Sequence, residues 1–364
     1  MRTLYDGQIY SSQCVGGIIR YFNSLISCLP KSFYPYLTSS QENEVTYPEH
    51  PNFKLFYYKR FALKPGRLSY WLEKYYFRAV SNFVKPDIIH PTYYSSLTRH
   101  PLNQYRAPVV LTVWDMIHEL FPQSLDPTGQ EVQIKRQAIL AAQAIICISE
   151  NTKKDLLGRY NLPDKNIQVI HLASSINDSF AKGKEAVPNS PYYLYVGSRD
   201  NYKNFISLLT AFNHVKSKLP DVKLCVTGSP FTISEQQRIG DLGLTERIQN
   251  YGLVSDRHLA KLYHHSLALV YPSLYEGFGI PLLEAMSCGT PVVASNCSSI
   301  PEVVGDAGIL FDPHSTDDLA DILLFLYNHP AERDRLISKG YEQAKKFSWQ
   351  KTTDQTVEVY RSLI

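Results

Sequence analysis

Two glutamates eight positions apart, Glu276 and Glu284, frame a segment that combines acidic side chains with glycines and a proline. Glycines just before a helix let backbone N–H groups come close to an anionic ligand. Pro281 suits the first turn of that helix, from which we expect Glu284 to project. A glutamate cannot itself bind phosphate, so the pair suits a ligand with both phosphate and hydroxyl groups, such as a sugar nucleotide. The alternative is an ordinary strand–loop–helix turn with two solvated acids.

A second candidate segment follows the strand-like run from Tyr192 to Val196, where Gly197 precedes Arg199 and Lys203. A diphosphate needs more positive charge than helix N-terminal amides supply, and two cations at the carboxyl end of a strand supply it. Because a leaving diphosphate gains charge in the transition state, these cations would stabilise that state more than the ground state. The alternative is that both are surface charges beside a turn.

Weaker candidates lie in the first half of the chain. Gly16 and Gly17 open a predicted helix, where a glycine pair can expose backbone donors to a ligand. Asp115 and His118 follow a strand that ends near Val113, and either side chain could orient substrate hydroxyls. Asp115 is equally suited to cap the next helix.

Several functions are disfavoured by what the sequence lacks. Asp-x-Asp does not occur, which argues against a divalent metal that carries a diphosphate, so we expect neither metal nor cofactor. The six cysteines show no CxxC and no metal-ligand spacing, a pattern that fits a reducing cytoplasm. A net charge of +3 on 364 residues is too small to indicate nucleic-acid binding.

The distribution of charge and aromatic residues points to a membrane surface. Residues 1–175 hold 19 Lys and Arg against 13 Asp and Glu, whereas the remainder holds 18 against 21. Residues 53–78 contain ten aromatics and seven cations, a mixture that can bind a membrane interface or stack on sugars. The alternative is that these aromatics are core residues. The apolar run at 138–148 is too short to span a bilayer, and no signal peptide opens the chain. We therefore expect a cytoplasmic protein, with a peripheral contact at the inner face of the plasma membrane.

Short apolar runs alternate with helical patterns twice along the chain, which predicts an α/β fold with two Rossmann-like doubly wound domains. Residues 182–191 have linker composition, so we place the first domain at 1–180 and the second at 181–345. Ligands in such sheets bind at the carboxyl ends of the strands. Both candidate segments described above lie at predicted strand ends of the second domain.

Taken together, these segments resemble the GT-B glycosyltransferases of family 4, which are retaining enzymes that use nucleotide-sugar donors. The similarity extends over almost the whole chain. It is carried by the segments Gly16–Phe22 (GGIIRYF), Thr112–Pro122 (TVWDMIHELFP), Cys147–Leu156 (CISENTKKDL), Tyr195–Phe205 (YVGSRDNYKNF) and Leu269–Ser295 (LVYPSLYEGFGIPLLEAMSCGTPVVAS).

The resemblance implies a role for each matching residue. Glu284 would bind the ribose hydroxyls, Glu276 would lie near the donor sugar, and Arg199 and Lys203 would hold the β-phosphate. Lys203 matches the family pattern more closely than Arg199, which stands two residues after the glycine. Further donor-binding residues implied or predicted are Gly16, Gly17, Gly197, Gly228, Val254, Gly277, Phe278, Gly279 and Ile280. The resemblance also implies that the last helix, within 346–364, returns to the first domain.

One departure concerns the donor sugar. The family often has His-Asp where this chain has Trp114 and Asp115. The missing histidine usually meets the donor sugar in the family, so we expect an altered sugar contact, with His118 as the candidate substitute.

The expected activity is that of a metal-independent, retaining glycosyltransferase, in particular a hexosyltransferase. The resemblance implies front-face attack by an acceptor hydroxyl on a donor held by the second domain. A UDP-sugar is slightly favoured over GDP-mannose, and the acceptor would be a saccharide or lipid-linked saccharide in polysaccharide biosynthesis. The alternatives are a sugar-nucleotide epimerase of similar fold and a non-catalytic nucleotide-sugar binder. A dinucleotide oxidoreductase is a poorer match, because no GxGxxG follows the first strand.

Overall fold

The computed structural model describes residues 1–12, 16–40, 45–60, 67–162 and 166–364. The chain divides into two compact units. The first comprises Met1–Leu172 together with Ser348–Ile364, and the second comprises Ala173–Phe347.

The first unit is built on parallel strands whose order in space differs from their order in the chain. They run β3-β2-β1-β4 in one sheet and β5-β6-β7 in the next, and a parallel bridge from Ile89 to Val109 joins the two. The strands are β1 (Arg2–Tyr5), β2 (Tyr34–Ser39), β3 (Lys54–Tyr57), β4 (Ile88–Ile89), β5 (Val110–Val113), β6 (Ala144–Cys147) and β7 (Asn166–Val169). The order reverses direction between β1 and β4, which makes this the topological switch point of the unit.

Helices form most of the crossovers between these parallel strands. They are α1 (Gln8–Ser12), α2 (Gly17–Ser27), α3 (Arg67–Val84), α4 (Ile117–Leu120), α5 (Pro122–Leu125), α6 (Gln130–Ala141) and α7 (Glu150–Arg159). The start of α7 shows how the sequence sets these bounds, because the hydroxyl of Ser149 accepts a hydrogen bond from the backbone N–H of Thr152.

The second unit contains a parallel sheet with the order β10-β9-β8-β11-β12-β13. Its strands are β8 (Tyr192–Val196), β9 (Lys223–Thr227), β10 (Ile248–Asn250), β11 (Ala268–Tyr271), β12 (Val292–Ser295) and β13 (Gly308–Phe311). Counted within the unit, this order is 3-2-1-4-5-6, the arrangement of dinucleotide-binding Rossmann folds. The switch point therefore lies between β8 and β11.

The helices of the second unit bury apolar stripes against this sheet. In the first of them, apolar residues at helical spacing from Phe205 to Val215 are buried together with Tyr193 and Leu224 of the sheet. The helices are α8 (Phe205–Lys218), α9 (Ile233–Asp241), α10 (Asp256–His265), α11 (Ile280–Ser287), α12 (Ile300–Val304), α13 (Thr316–Asn328) and α14 (Pro330–Ala344).

The last helix, α15 (Trp349–Arg361), belongs to the first unit, where a buried polar network holds it. His90 lies at its centre, and its two ring nitrogens are 2.6 Å from the Tyr360 hydroxyl and 2.8 Å from the Thr112 hydroxyl. The Tyr360 hydroxyl also lies 3.3 Å from that of Tyr5 on β1. His90 is fully buried and is therefore part of the core of the first unit.

The α/β fold with two doubly wound units is confirmed. Four strands, β2, β3, β10 and β13, are not predicted from the sequence. Of these, β3 and β10 contain no fully buried residue, so they lack the continuous apolar run of an interior strand. The segment at 182–191 lies inside the second unit, because Lys261 and His258 of α10 contact the carbonyl oxygens of Gly183 and Ala186, both at 2.9 Å.

Candidate active site

The switch point of the second unit brings the two candidate segments together. The loop after β8 carries Lys203, and the loop after β11 carries Glu276. The Lys203 Nζ lies 2.7 Å from Oε1 and 2.9 Å from Oε2 of Glu276, so the ammonium faces both carboxylate oxygens. These residues are 73 positions apart in the chain, and the parallel strand order makes them neighbours.

This ion pair keeps Lys203 positively charged. Burial opposes the charged form, but the Glu276 carboxylate outweighs it and raises the pKa of the ammonium above its usual value. The side chains are 17% and 9% exposed, so the pair is mostly buried but reachable from solvent. A lysine ammonium has three donors, of which Glu276 takes two, so one remains for another anion.

Arg199 follows the same strand but points to a different partner. Its Nε and Nη2 donate to Glu235 of α9 at 2.6 and 3.3 Å, and Nη2 also donates to the Pro230 carbonyl at 2.8 Å. The guanidinium lies over the rings of Phe205 and Phe231, at 5.7 and 4.8 Å from their centroids. Most of its hydrogen-bonding capacity thus holds the loop to α9.

One guanidinium nitrogen of Arg199 is different. Its Nη1 is buried and has no hydrogen-bond partner among the described residues. A Cβ placed on Gly228 would lie 3.6 Å from this atom, so the nitrogen is close to the turn after β9. Arg199 therefore keeps the two N–H donors of Nη1 for a ligand, on the side of Gly228.

The turns at Gly197 and Gly228 pack backbone against backbone. Both residues have positive φ values, 128° and 135°, which side chains disfavour. A Cβ on Gly228 would lie 2.4 Å from the Gly197 carbonyl oxygen, a distance that real Cβ atoms do not reach. Glycine at 228 is thus required for the ends of β8 and β9 to approach each other.

The glycine-rich loop after β11 leads into α11 through Gly279, whose φ is 105°. This backbone conformation favours glycine, and a Cβ there would also lie 2.7 Å from the end of the Leu282 side chain. Phe278 is buried and packs edge-on against Phe347, with 5.8 Å between ring centroids. Ile280 begins the helix, directly before Pro281.

Glu284 lies one turn further along α11 than expected. The helix begins at Ile280, so Glu284 is its fifth residue and stands in the second turn rather than the first. Its side chain is buried and accepts a hydrogen bond from the Tyr263 hydroxyl of α10 at 3.0 Å. Burial, with the nearby Glu284 charge, raises the pKa of Tyr263 well above its usual value, so the phenol stays a donor.

The remaining donor-site candidate of this unit, Val254, lies between β10 and α10. It is half-buried, and the preceding Leu253 is 89% exposed. The Gly228 N–H donates to the Gly252 carbonyl at 3.0 Å, which ties this loop to the turn after β9. The structure thus places Val254 beside the loops that carry the other candidates.

The candidates of the first unit lie beyond β5. Trp114 is buried edge-on against Tyr21, with ring centroids 5.0 Å apart. The Asp115 carboxylate accepts from the Ile117 backbone N–H at 3.0 Å and lies 3.8 Å from the Lys135 ammonium. This is a turn before α4 rather than the helix cap that the sequence left open for Asp115, because the N-cap residue of α4 is Met116.

Two polar atoms of this region lack partners. Within the described ranges, neither Trp114 Nε1 nor His118 Nδ1 has a hydrogen bond, although both atoms are buried. Buried polar atoms normally find partners. Both side chains therefore retain hydrogen-bonding capacity, while Gly16 and Gly17 lie at the start of α2 without a side-chain cap on that helix.

Three supporting residues are not predicted from the sequence. Glu235 holds Arg199, Tyr263 holds Glu284, and the fully buried Lys135 bonds to Glu119 at 2.8 Å and to the Asp115 carbonyl at 3.1 Å. Glu235 had one local signal, because Thr232 and Glu235 form a capping box at the start of α9. In the part of the chain that the structure describes, no group of three or more His, Cys, Asp and Glu side chains is arranged to hold a metal ion.

Family models match the two halves of the chain separately. Residues 177–343 match the model described as glycosyl transferases group 1, and residues 15–173 match the model of glycosyltransferase family 4. The chain belongs to glycosyltransferase family 4. The two matched ranges correspond closely to the two units of the structure.

Curated relatives of this family 4 chain include O-antigen chain mannosyltransferase B of Escherichia coli, which is 33% identical over 248 residues. That match covers 62% of each protein, so it spans less than two thirds of the relative's length. Alpha-maltose-1-phosphate synthase of Mycobacterium tuberculosis is 27% identical over 76% of this chain and 79% of the relative.

Among solved structures, a sucrose-phosphate synthase from Thermosynechococcus elongatus superposes with a TM-score of 0.82 at 20% identity. The match covers 100% of this chain and 98% of the other. At this identity the likeness shows the fold, which is that of GT-B glycosyltransferases.

Proposed function

We propose that this protein is a glycosyltransferase that moves a hexose from a nucleotide-sugar to a saccharide or lipid-linked saccharide in polysaccharide biosynthesis. The observation that carries the proposal is the Lys203–Glu276 ion pair at the switch point of the second unit, where such sheets bind their ligands. Membership of family 4 supports the transfer reaction.

Each group at the switch point has a proposed task. The third donor of Lys203 and the Nη1 of Arg199 would bind the donor diphosphate and stabilise the charge that develops as it leaves. Glu284 would accept hydrogen bonds from the ribose hydroxyls, with its orientation set by Tyr263. Because these cations supply the charge, we propose that the reaction needs no metal ion.

The retaining outcome is proposed from the family resemblance, with the acceptor hydroxyl attacking on the face from which the diphosphate departs. No side chain is assigned as a nucleophile. Asp115 and His118 remain predicted sugar- or acceptor-orienting residues, and Trp114 Nε1 offers an additional free donor beside them.

The proposal also concerns which nucleotide the sugar donor carries. The sequence slightly favours a UDP-sugar, whereas the relative at 33% identity is named a mannosyltransferase. We therefore propose GDP-mannose and UDP-glucose as the two donors to compare. The cysteine pattern supports a cytoplasmic location, where the five cysteines that the structure describes as free thiols would stay reduced.

The test is acceptor-dependent release of the free nucleoside diphosphate. Purified protein is incubated with GDP-mannose or UDP-glucose, with and without a lipid-linked saccharide extract, and in the presence or absence of EDTA. We expect one donor to release its diphosphate only when acceptor is added, with equal rates in EDTA. NMR of the product then reports the anomeric configuration.

The alternative functions give different results in the same assay. An epimerase would convert the donor without any acceptor. A non-catalytic binder would raise its melting temperature with a nucleotide yet release nothing. Loss of the reaction in EDTA, or an inverted product, would refute metal independence or retention while leaving glycosyl transfer intact.

A further inference from the structure

Helix α3 of the first unit (Arg67–Val84) turns an apolar stripe outward. Leu68, Trp71, Leu72, Tyr75 and Phe83 recur at helical spacing, and they are 43%, 53%, 36%, 45% and 78% exposed. An ordinary surface helix directs its apolar stripe to the core and its polar residues to water. This helix exposes a continuous apolar face, which we call the α3 stripe.

The inner side of the same helix contains the polar residues that would normally be exposed. Ser69 and Glu73 are each 2% exposed, beside the buried Phe77. The Glu73 carboxylate is neutralised by Arg60, whose Nε and Nη2 donate to it at 2.5 and 3.1 Å. Glu73 is the single acidic residue of α3, so the outer side of the helix carries no negative charge.

Positive side chains border the α3 stripe. Lys74 and Arg78 each lie over the Tyr75 ring, 5.8 Å from its centroid. Arg60 and Arg99 lie over the Tyr70 ring in the same way, at 4.8 and 5.6 Å. The Trp71 and Tyr75 rings are in tilted contact, with 4.4 Å between their centroids, so these two rings form one patch next to Lys74 and Arg78.

We propose that the α3 stripe docks on the surface of an anionic lipid bilayer, with the helix lying in the plane of the interface. Amphipathic aromatics prefer the level of the lipid headgroups, and long apolar side chains reach the acyl boundary. The bordering cations complement the negative surface potential of anionic lipids. The observation concerns binding alone, so it holds whether or not glycosyl transfer is confirmed.

The structure also limits how the protein meets the membrane. No helix in the described residues combines the length and hydrophobicity that a bilayer crossing requires. The sequence predicts a membrane contact anywhere within residues 53–78. The exposed apolar side chains of α3 place the proposed contact on that helix. Residues 61–66 lie outside the described residues, whereas Phe56 of β3 stacks on Tyr36 of β2, with 6.1 Å between their centroids.

The experiment is co-sedimentation of the full chain with vesicles of phosphatidylcholine alone or with about a third of phosphatidylglycerol. We expect binding to the anionic vesicles and a blue shift of the Trp71 emission on binding. The variant Trp71→Ser/Tyr75→Ser should bind about tenfold or more weakly. Because both side chains are exposed, its circular dichroism and melting temperature should match the parent.

Two matched controls distinguish binding by the α3 stripe from nonspecific hydrophobic adsorption and from an effect of net charge. Leu157→Ser/Phe325→Ser removes two exposed apolar residues elsewhere, which are 47% and 42% exposed, and should leave binding unchanged. Lys74→Glu/Arg78→Glu should weaken binding about tenfold and reduce its salt dependence. Lys154→Glu/Lys218→Glu changes the net charge equally, at exposed positions on α7 and α8, and should have a much smaller effect.

Three outcomes would overturn the proposal. The first is no binding to anionic vesicles at low salt. The second is binding that the stripe variant retains in full. The third is a dimer, detected by light scattering, that Trp71→Ser/Tyr75→Ser dissociates while vesicle binding is absent. That last result would assign the stripe to a second copy of this chain.

Discussion

The two units share the strand order 3-2-1-4 around their switch points, yet these switch points are filled in different ways. In the first unit the residues after β1 and β4 are Asp6 and His90, which are 1% and 0% exposed. In the second unit the residues after β8 and β11 include Lys203 and Glu276, which solvent reaches. The topology creates a crevice in both units. The residues of the loops determine whether side chains of the protein fill that crevice or leave it open to a ligand.

The first switch point is closed by hydrogen bonds within the protein. The Asp6 carboxylate accepts from the Leu97 backbone N–H at 2.7 Å, and a Cβ on Gly7 would lie 1.7 Å from the Thr38 carbonyl oxygen. Burial raises the pKa of Asp6 to about 7, and burial lowers the pKa of His90 to about 3. Both groups are therefore held neutral over much of the acid range.

The second switch point keeps its charges. Its lysine is ionised by its glutamate partner and has a spare donor, which is the property that an anion site needs. Charge retained at a strand end, rather than the strand order itself, therefore distinguishes the candidate donor site. Three predictions test that conclusion.

The largest effect is expected from Lys203→Met. Removing the ammonium should lower kcat/KM for the preferred donor by about 10²–10³-fold, because charge on the leaving diphosphate loses its counterion. Steady-state kinetics with whichever of GDP-mannose and UDP-glucose supports transfer provide the measurement. The control is Lys218→Met, an exposed lysine of α8, which should keep full activity.

A double variant separates catalysis from stability. Lys203→Met alone leaves the Glu276 carboxylate mostly buried without its partner and should lower the melting temperature. Lys203→Met/Glu276→Gln should recover much of that stability but none of the activity. A Lys203→Met enzyme within tenfold of the parent in kcat/KM would contradict the role of the switch-point charge.

A smaller effect is expected from Gly228→Ala. The new Cβ would collide with the Gly197 carbonyl at a φ of 135°, so the turns after β8 and β9 must separate. We expect a loss of about 1–3 kcal/mol in stability from the strained backbone and an approximately tenfold weaker nucleotide affinity by calorimetry. Gly240→Ala in α9, where a Cβ meets nothing within 4 Å, is the control and should be neutral or slightly stabilising. Unchanged affinity in Gly228→Ala would show that the spacing of these turns does not matter to the site.

The prediction with the smallest expected effect on activity is a pH dependence of stability at the first switch point. Asp6 binds a proton more tightly in the folded state, so its contribution is complete below its unfolded pKa of about 4 and is lost as pH rises through about 7. His90 behaves oppositely, because its neutral folded form loses stability as pH falls from about 6.5 towards 3.

Urea unfolding between pH 4 and 8 measures these two contributions. Relative to the parent, Asp6→Asn should gain stability as pH rises, by at most about 1.4 kcal/mol per pH unit. His90→Gln should show a deficit that shrinks as pH falls. Parallel pH profiles for the parent and both variants would mean that the two side chains do not titrate as buried groups.

The sequence predicts the ends of β8 and β11 in the second unit well, for a physical reason. The runs before Gly197 and Glu276 are continuous and apolar because both faces of those strands are covered, and the loops that follow must then meet at one edge of the sheet. Strands with exposed residues, such as Lys54–Tyr57, carry no such signal.

The hydrogen-bond partners of the site side chains could not be predicted from the sequence. Arg199 and Lys203 look alike as cations after one strand, yet one pairs with Glu235 and the other with Glu276. Which carboxylate each cation meets depends on how α9 and β11 pack, and no local pattern encodes that. The burial of Trp114 against Tyr21 is tertiary in the same sense.

The position of α15 has a consequence for biosynthesis. A ribosome that has translated residues 1–347 has made the whole second unit, but the first unit still lacks the helix that carries Tyr360. At about 5–20 residues per second, the 175 residues of Ala173–Phe347 delay that helix by roughly 10–35 s. During this interval His90 and Tyr5 lack the Tyr360 hydroxyl as a hydrogen-bond partner. We therefore expect the first unit, although most of it is translated first, to complete its folding after the second unit.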